Sequence, residues 1–462
     1  ALVLLLGRFF CGWLCPLGVM IDGAAHVWRP PKRPDPSRWV PSAYLKVYIL
    51  IAIILLALFG VNLVGLFDPI TVAMRGLALA VQPYAEWLLK SSLAPLYKVP
   101  VVSWASEPVY GALKEYYFAP EQPQYEYSLL YLAILLGIFA LSRIRKRYWC
   151  RYLCPLGALH AIVGRFGLWR RRVGPACDQC AGCSRICRTE AIDQKDAAIY
   201  DPRECIRCMD CEQVCPQDAI EFSFIPSTKS VKVSNRELAV TRRGLLSAIG
   251  ASVVAAPFLR TTAHSRSART ELIRPPGALP EDKFLARCIR CGECMRVCPQ
   301  HALQPALLQF GLEEMWTPVL VARIGYCAYN CTLCMQVCPT AALELLSQRP
   351  KQEFRIGTAY FDKDRCIPWA ENTDCLVCEE VCPTSPKAIQ LREEEALDDS
   401  GTKRIVKRPF IVDSKCIGCG MCETKCPVEG LSAIRVAARY ETRHGGLAVG
   451  ATYLDTGKQG PG

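Results

Sequence analysis

Cys177, Cys180, Cys183 and Cys187 stand three, three and four residues apart, and Cys205, Cys208, Cys211 and Cys215 repeat that spacing. The rhythm returns in Cys288, Cys291, Cys294 and Cys298, and again in Cys416, Cys419, Cys422 and Cys426. Two further runs stretch one gap: Cys327, Cys331, Cys334, Cys338 and Cys366, Cys375, Cys378, Cys382. In all runs but the first, the last cysteine precedes a proline: Pro216, Pro299, Pro339, Pro383 and Pro427. Thiolates are soft ligands, and three at this spacing wrap one face of a [4Fe–4S] cluster while the fourth, before proline, reaches the other cluster of a pair. Crossed ligation then assigns Cys177, Cys180, Cys183 and Cys215 to one cluster, and Cys205, Cys208, Cys211 and Cys187 to its partner. The second pair takes Cys288, Cys291, Cys294 and Cys338 with Cys327, Cys331, Cys334 and Cys298. The third takes Cys366, Cys375, Cys378 and Cys426 with Cys416, Cys419, Cys422 and Cys382.

The departures are informative. Arg188 stands where a proline is usual after Cys187, which alters the loop but not the ligand count. Cys327, Cys331 and Cys334 also match the spacing of radical S-adenosylmethionine enzymes, but the fourth cysteine with its proline favours the ferredoxin pattern. Residues 367–374, the long gap after Cys366, are expected to loop out beside the cluster. Zinc held by four thiolates would not require runs ending in Cys-Pro.

Four of the 28 cysteines lie outside these runs. They form a repeat: Cys11-Gly12-Trp13-Leu14-Cys15-Pro16-Leu17-Gly18 and Cys150-Arg151-Tyr152-Leu153-Cys154-Pro155-Leu156-Gly157. On a helix each pair places two thiols about one turn apart on one side. Three readings stay open for Cys11, Cys15, Cys150 and Cys154: ligands of a seventh cluster, redox-active dithiols, or buried structural cysteines. His26 and His160 follow the two motifs and are read as hydrogen-bonded structural residues.

Composition excludes other chemistry. A chain of 462 residues is too long for a disulfide-stapled scaffold, and five histidines without any C-x-x-C-H exclude c-type haem by that motif. The net charge of +12 comes with no aromatic-interleaved basic groove and no zinc-finger spacing, which argues against nucleic acid. No catalytic residue is assigned.

The elements that must position these thiols can be sketched. Residues 47–67 form 21 uncharged positions and 127–142 form 16, and both are expected to span a hydrocarbon core of ~30 Å. Segments 8–46 and 143–176 carry 15 Lys and Arg against two acids, which orients them to the cytoplasm. The stretch 68–126, with Trp87, Trp104 and Tyr116-Tyr117, then faces the other side. The chain starts on an apolar run, Leu2 to Leu6, which suggests missing upstream residues. After each cysteine run comes an apolar pair expected to start a short strand: Ala191-Ile192, Ala219-Ile220, Ala302-Leu303, Ala342-Leu343, Ala388-Ile389 and Ala433-Ile434. Thr241-Arg242-Arg243 leads into an uncharged stretch, a twin-arginine-like segment or membrane anchor at 236–262. The expected class is an α+β multidomain protein with transmembrane helices and three two-cluster bacterial ferredoxin-like units. Its domains are a membrane domain at 1–170, a two-cluster ferredoxin domain at 171–235, a four-cluster domain at 280–440, and a mobile tail at 441–462. Residues 262–280 read as a linker.

Two families are recognisable in these motifs. Residues 1 to about 225 resemble the membrane subunit of the quinol dehydrogenase that serves periplasmic nitrate reductase. Residues 241–440, with Arg242-Arg243, four runs and the Cys366 to Cys375 gap, resemble its exported ferredoxin partner. The chain is similar to the two fused, a 4Fe–4S polyferredoxin. The resemblance implies a bacterial inner-membrane, multi-pass protein with a cytoplasmic ferredoxin domain and a periplasmic C-terminal domain. It implies an electron-transfer subunit that takes electrons from quinol and passes them along the clusters to other subunits, cytochromes or a terminal reductase. The rivals are a copper reductase that assembles a respiratory oxidase, against which seven methionines and five histidines without clustering argue, and a redox-sensing regulator.

Overall fold

The computed structural model describes residues 2–28, 45–96, 110–111, 113, 123–224, 231–233, 240–261, 270–397 and 403–444. The chain divides into two compact units, residues 1–76 with 130–256, and residues 77–129 with 257–462.

In the first unit Pro16 and Pro155 each open a helix, Pro16–Trp28 and Pro155–Gly164. The pyrrolidine ring presets φ, and the missing N–H is one the first turn would leave unbonded. Before each helix lies a short turn carrying the first cysteine of the motif, Phe9–Trp13 in α form and Trp149–Leu153 in π form. The glycine of each motif follows from crowding. A Cβ on Gly18 would lie 3.1 Å from the Cys11 carbonyl oxygen, and one on Gly157 would lie 3.2 Å from that of Cys150. Helix Leu45–Leu58 packs against both Trp149–Leu153 and Pro155–Gly164.

The two expected transmembrane spans are not formed. Among the described residues no helix is long and apolar enough to cross a membrane. The first uncharged stretch gives a helix of 14 residues, Leu45–Leu58, about 21 Å long against the ~30 Å required. It stops because Gly60 turns left-handed (φ +81°), after which the Asn62 side chain accepts from Val64 N–H (3.2 Å) to start a new short helix, Val64–Phe67. The second stretch gives Ser128–Leu141, also 14 residues, entered through Tyr127 at φ +64°. Lys46, read as a flanking charge, is 2% exposed and bonds Glu204 (2.5 Å). The transmembrane part of the expected fold and the multi-pass inner-membrane arrangement are therefore corrected, and the assignment of domains to two membrane faces falls with them. Trp104, Tyr116-Tyr117 and the tail beyond residue 444 lie outside the described residues.

The cysteine runs fold into ferredoxin-like modules. In the first unit strand Arg170–Val173 pairs antiparallel with Ile220–Ser223, and helices Gly182–Ile186 and Asp210–Gln213 pack together. The second unit holds two more modules. One pairs Leu303–Pro305 with Pro318–Leu320 over helices Glu293–Arg296 and Leu333–Gln336. The other pairs Thr358–Phe361 with Ile434–Ala437 over Val377–Glu380 and Met421–Thr424, and adds the antiparallel hairpin Ile389–Leu397 with Lys403–Ile411. Ile220, Leu303, Ile389 and Ile434 start strands, while Ile192 and Leu343 make single bridges to Tyr200 and Ala278. Residues 270–280 are not a free linker: Leu272, Ile273, Arg274 and Ala278 are buried. Fully buried Arg274 bonds Glu281 (2.5 Å), Thr317 Oγ1 (2.8 Å) and the Pro318 carbonyl (2.8 Å), and Arg443 pairs with the same Glu281. This network ties the entry of one module to the segment that follows the next.

Candidate cluster-binding sites

Each module of the second unit forms two cavities, partly open to solvent and walled by thiols. Cys288, Cys291, Cys294 and Cys338 line one of about 390 Å³, and Cys298, Cys327, Cys331 and Cys334 line another of about 380 Å³. In the last module Cys366, Cys375, Cys378 and Cys426 line about 340 Å³, and Cys382, Cys416, Cys419 and Cys422 line about 350 Å³. Each cavity thus receives three cysteines of one run and the proline-linked cysteine of its partner. In the two regularly spaced runs of this unit the loop curls inward because the residue before the second cysteine is left-handed: Arg290 (φ +58°) and Gly418 (φ +73°), followed by Gly292 (φ +84°) and Gly420 (φ +83°). Left-handed glycine costs little, whereas a non-glycine residue there is held by its surroundings.

The electrostatics match crowded soft ligands. Burial, reinforced by neighbouring thiols, pushes Cys294 and Cys422 well above the ordinary thiol range. Burial likewise pushes Cys366 up to about 11 and Cys378 and Cys419 up to about 12. Such thiols are poor free nucleophiles, and a bound cation that deprotonates them reverses the penalty. Among the described residues no three His, Cys, Asp or Glu side chains meet closely enough to hold a single metal ion. The thiols line cavity walls instead. Four sulfur donors around an apolar wall fit a [4Fe–4S] cluster. The Ala359 N–H donates to Cys416 Sγ (3.4 Å), a contact of the kind that tunes cluster potentials.

The stretched gaps are accommodated by contacts that spacing does not reveal. Buried Lys351 donates to the carbonyls of Ala328 (2.6 Å) and Tyr329 (2.9 Å), bracing the longer Cys327 to Cys331 loop. The Cys366 to Cys375 gap lies beside its cavity, which Ile367 and Pro368 help to line together with both cysteines. It forms the short helix Ile367–Ala370, whose Trp369 ring lies under Lys363 (4.2 Å) and Arg408 (4.9 Å) and donates to the Pro409 carbonyl (3.2 Å).

The two modules of this unit meet at their inner cavities. The Cys327 N–H donates to the Cys419 carbonyl (2.8 Å). Arg323 donates to the carbonyls of Glu423 (3.3 Å), Cys426 (3.1 Å) and Val428 (2.8 Å), and Thr424 Oγ1 donates to that of Ala322 (2.6 Å).

In the first unit Cys183 and Cys211 lie in one core with Ile192, Ala197, Tyr200 and Ile220, and Cys187, Cys205 and Cys215 pack against it. Cys205 and Cys187 act electrostatically on Cys208 and Cys211, which brings that predicted quartet together; burial pushes Cys208 up to about 12. Cys177 acts on Cys183, while Cys180 is exposed. Arg188, the residue in place of proline, bonds Asp210 (2.6 and 3.0 Å) and Asp22 (2.5 Å), anchoring the run to helix Pro16–Trp28.

The remaining four thiols converge through the pseudo-symmetry of their motifs. Arg147, three residues before Cys150, reaches across to the Cys11 carbonyl (2.6 Å) and to Asp22 (2.8 and 2.6 Å). Arg8, three residues before Cys11, reaches toward the Cys154 to Gly157 turn and bonds Glu204 (3.2 Å). Burial works to raise the Cys11 thiol, but the His160 hydrogen bond (3.5 Å) and the Arg8 charge bring it down to about 7. Burial pushes Cys150 up to about 11, with Cys15 and Cys11 adding to the rise.

The comparisons agree with this chemistry. A 4Fe-4S binding domain matches residues 1–34 and 127–174, a 4Fe-4S dicluster domain matches 287–342, and a second 4Fe-4S binding domain matches 198–221 and 409–432. The methylamine utilization ferredoxin-type protein MauM of Methylorubrum extorquens is 44% identical over 112 residues, 22% of this chain and 50% of that protein. The ferredoxin-type protein NapG of Escherichia coli is 35% identical over 130 residues, 28% of this chain and 53% of that protein. The chain spans about half the length of these two relatives. The MauM protein of Methylobacillus flagellatus is 32% identical over 176 residues, 28% of this chain and 73% of that protein. With ferredoxin-type matches in both units, and a relative aligned over most of its length, the chain belongs to the ferredoxin-type family of 4Fe–4S polyferredoxins.

Proposed function

We propose that the protein is a conduit carrying six [4Fe–4S] clusters and passing electrons between quinol and redox partner proteins. The ligands are Cys177, Cys180, Cys183 and Cys215; Cys205, Cys208, Cys211 and Cys187; and the four quartets that line the cavities of the second unit. The observation that carries this reading is the junction at Cys327 and Cys419, which sets the two inner cavities side by side. Four cavities in series are what a wire requires and what an isolated two-cluster carrier lacks. Each cluster takes up and returns one electron, and the chain sets its potential through burial, N–H to sulfur contacts and nearby charge.

Cys11, Cys15, Cys150 and Cys154 are the proposed electron entry, as a seventh cluster. The match of 1–34 and 127–174 to a 4Fe-4S binding domain supports the cluster over a dithiol pair. The N-terminal and C-terminal parts are proposed to be two redox partners joined in one chain, with Arg242-Arg243, at the start of helix Arg242–Thr261, as a twin-arginine recognition element. Mixing the oxidised, cluster-loaded chain with a reduced quinol analogue under anaerobic conditions tests the proposal. Rapid bleaching of the cluster absorbance supports it. Bleaching by dithionite but not by quinol sinks quinol as the donor.

A further inference from the structure

Arg207 sits between Cys205 and Cys208 in a left-handed conformation (φ +58°) and is completely buried, at 0% exposure. None of its three guanidinium nitrogens makes a well-aligned hydrogen bond, and no carboxylate or carbonyl accepts from them. A buried cation left unpaired costs several kcal/mol, so a fold retains one where an anion accompanies it. The groups beside the charge are the Cys205 thiol and the Tyr200 hydroxyl. On its other side the guanidinium is walled by the segment that leads to Cys11. A Cβ on Gly7 (φ +63°) would lie 2.9 Å from Arg207 Nε and Nη2, so only glycine fits there. Trp13 Nε1 donates to the Arg207 carbonyl (2.9 Å), and Gly12 lies against the Ile206 carbonyl.

The second unit supplies an internal comparison. Cys288-Ile289-Arg290-Cys291 repeats Cys205-Ile206-Arg207-Cys208, and Arg290 has the same φ of +58° and 1% exposure. There the guanidinium donates to the carbonyls of Met315 (3.1 Å) and Glu313 (2.7 Å). In the last module the same backbone slot holds Gly418. The left-handed turn therefore does not require arginine, and the buried arginine does not have to lack an acceptor.

We infer that Arg207 is the counter-charge to the cluster held by Cys205, Cys208, Cys211 and Cys187, and that it makes this cluster easier to reduce. The inference rests on the reading of that quartet as a cluster site. A cubane with four thiolates is anionic, and its negative charge grows by one when it takes an electron, so an unscreened buried cation stabilises the reduced form more than the oxidised one. Placed between the Cys11 segment and the Cys205 loop, the charge favours electrons leaving the first site for this cluster.

The test is a potentiometric titration of the anaerobically purified full chain, followed by electron paramagnetic resonance with iron counted in each sample. The signal belonging to this cluster is the one lost in Cys208→Ser. Arg207→Gln is expected to lower its reduction equilibrium at least tenfold, about 59 mV for a one-electron couple. Arg207→Lys, which keeps the charge, is expected to stay within threefold of the parent. An unmoved midpoint in Arg207→Gln with full iron overturns the inference, as does a tenfold drop in Arg207→Lys. Loss of this cluster from both variants would make Arg207 structural and overturn it too. If the parent chain itself lacks the Cys208-dependent signal, the underlying cluster assignment fails.

Discussion

Replacing Glu281 by glutamine removes the carboxylate that holds Arg274 and Arg443, and the cost can be worked out from the structure. Burial would raise this carboxyl, but the two guanidinium groups hold it down at about 2, against an ordinary value of 4.5. At 1.36 kcal/mol per unit, that depression corresponds to about 3 kcal/mol of folded-state stabilisation. The range for removing one partner of a buried ion pair, about 3–5 kcal/mol, is consistent with it. Glu281 is 23% exposed and Arg274 is fully buried, so solvent screening is limited. For a unit of this size the loss corresponds to a melting temperature lowered by about 10 °C. The folded pKa is depressed, so the contribution is fully present above 4.5 and disappears as pH falls from there toward 2. Between pH 8 and pH 5 the deficit of the variant should therefore be constant. Anaerobic melting at one fixed scan rate, followed by loss of cluster absorbance, measures it. A deficit below about 2 °C, or one that shrinks steadily from pH 8 to pH 5, would refute the reasoning. Glu395→Gln removes only the exposed pair with Lys403 and should leave the melting temperature unchanged.

Three further outcomes are expected. Cys338→Ser and Cys291→Ser should abolish the same paramagnetic signal, each losing up to about four irons, while Cys331→Ser abolishes a different one; a signal shared by Cys338→Ser and Cys331→Ser would overturn crossed ligation. Arg147→Ala frees the Cys11 carbonyl and one side of Asp22, and should cost about 3–5 kcal/mol, read as a melting temperature at least about 6 °C lower; an unchanged melt would remove the cross-motif arginine from the account. Gly420→Val places a Cβ 2.8 Å from that of Ala322 at φ +83°, so the module junction should open and magnetic coupling between its two clusters should weaken. Undiminished coupling in that variant would show that the junction does not set the distance.

What the sequence revealed follows from how local the physics is. The grouping of thiols is written in spacings of three and four residues, so Cys288 to Cys298 could be read as one run without knowing the fold, and Cys338, ahead of its proline, lines the same cavity as Cys288, Cys291 and Cys294. The apolar pairs that start strands were legible for the same reason. Absence of charge in residues 47–67 was a poorer guide, because it does not register the left-handed Gly60 or the Asn62 side chain that breaks the helix. Lys46 looked like a flanking charge because its partner, Glu204, lies 158 residues away. Arg188 appeared as a defect in a motif, yet its pairing with Asp22 and Asp210 ties that motif to another. The single-residue stretch at Cys327 gave no hint of Lys351, since a carbonyl acceptor leaves no mark in the side-chain sequence.

The most direct test of the conduit is to count its metal and its electrons together. Anaerobically purified chain should contain about 24 irons and as many acid-labile sulfides, or about 28 if Cys11, Cys15, Cys150 and Cys154 hold a cluster. Stepwise reduction should then take up about one electron per cluster. Iron far below 24, with zinc in the cysteine quartets or with fewer electrons accepted than clusters present, would contradict the account.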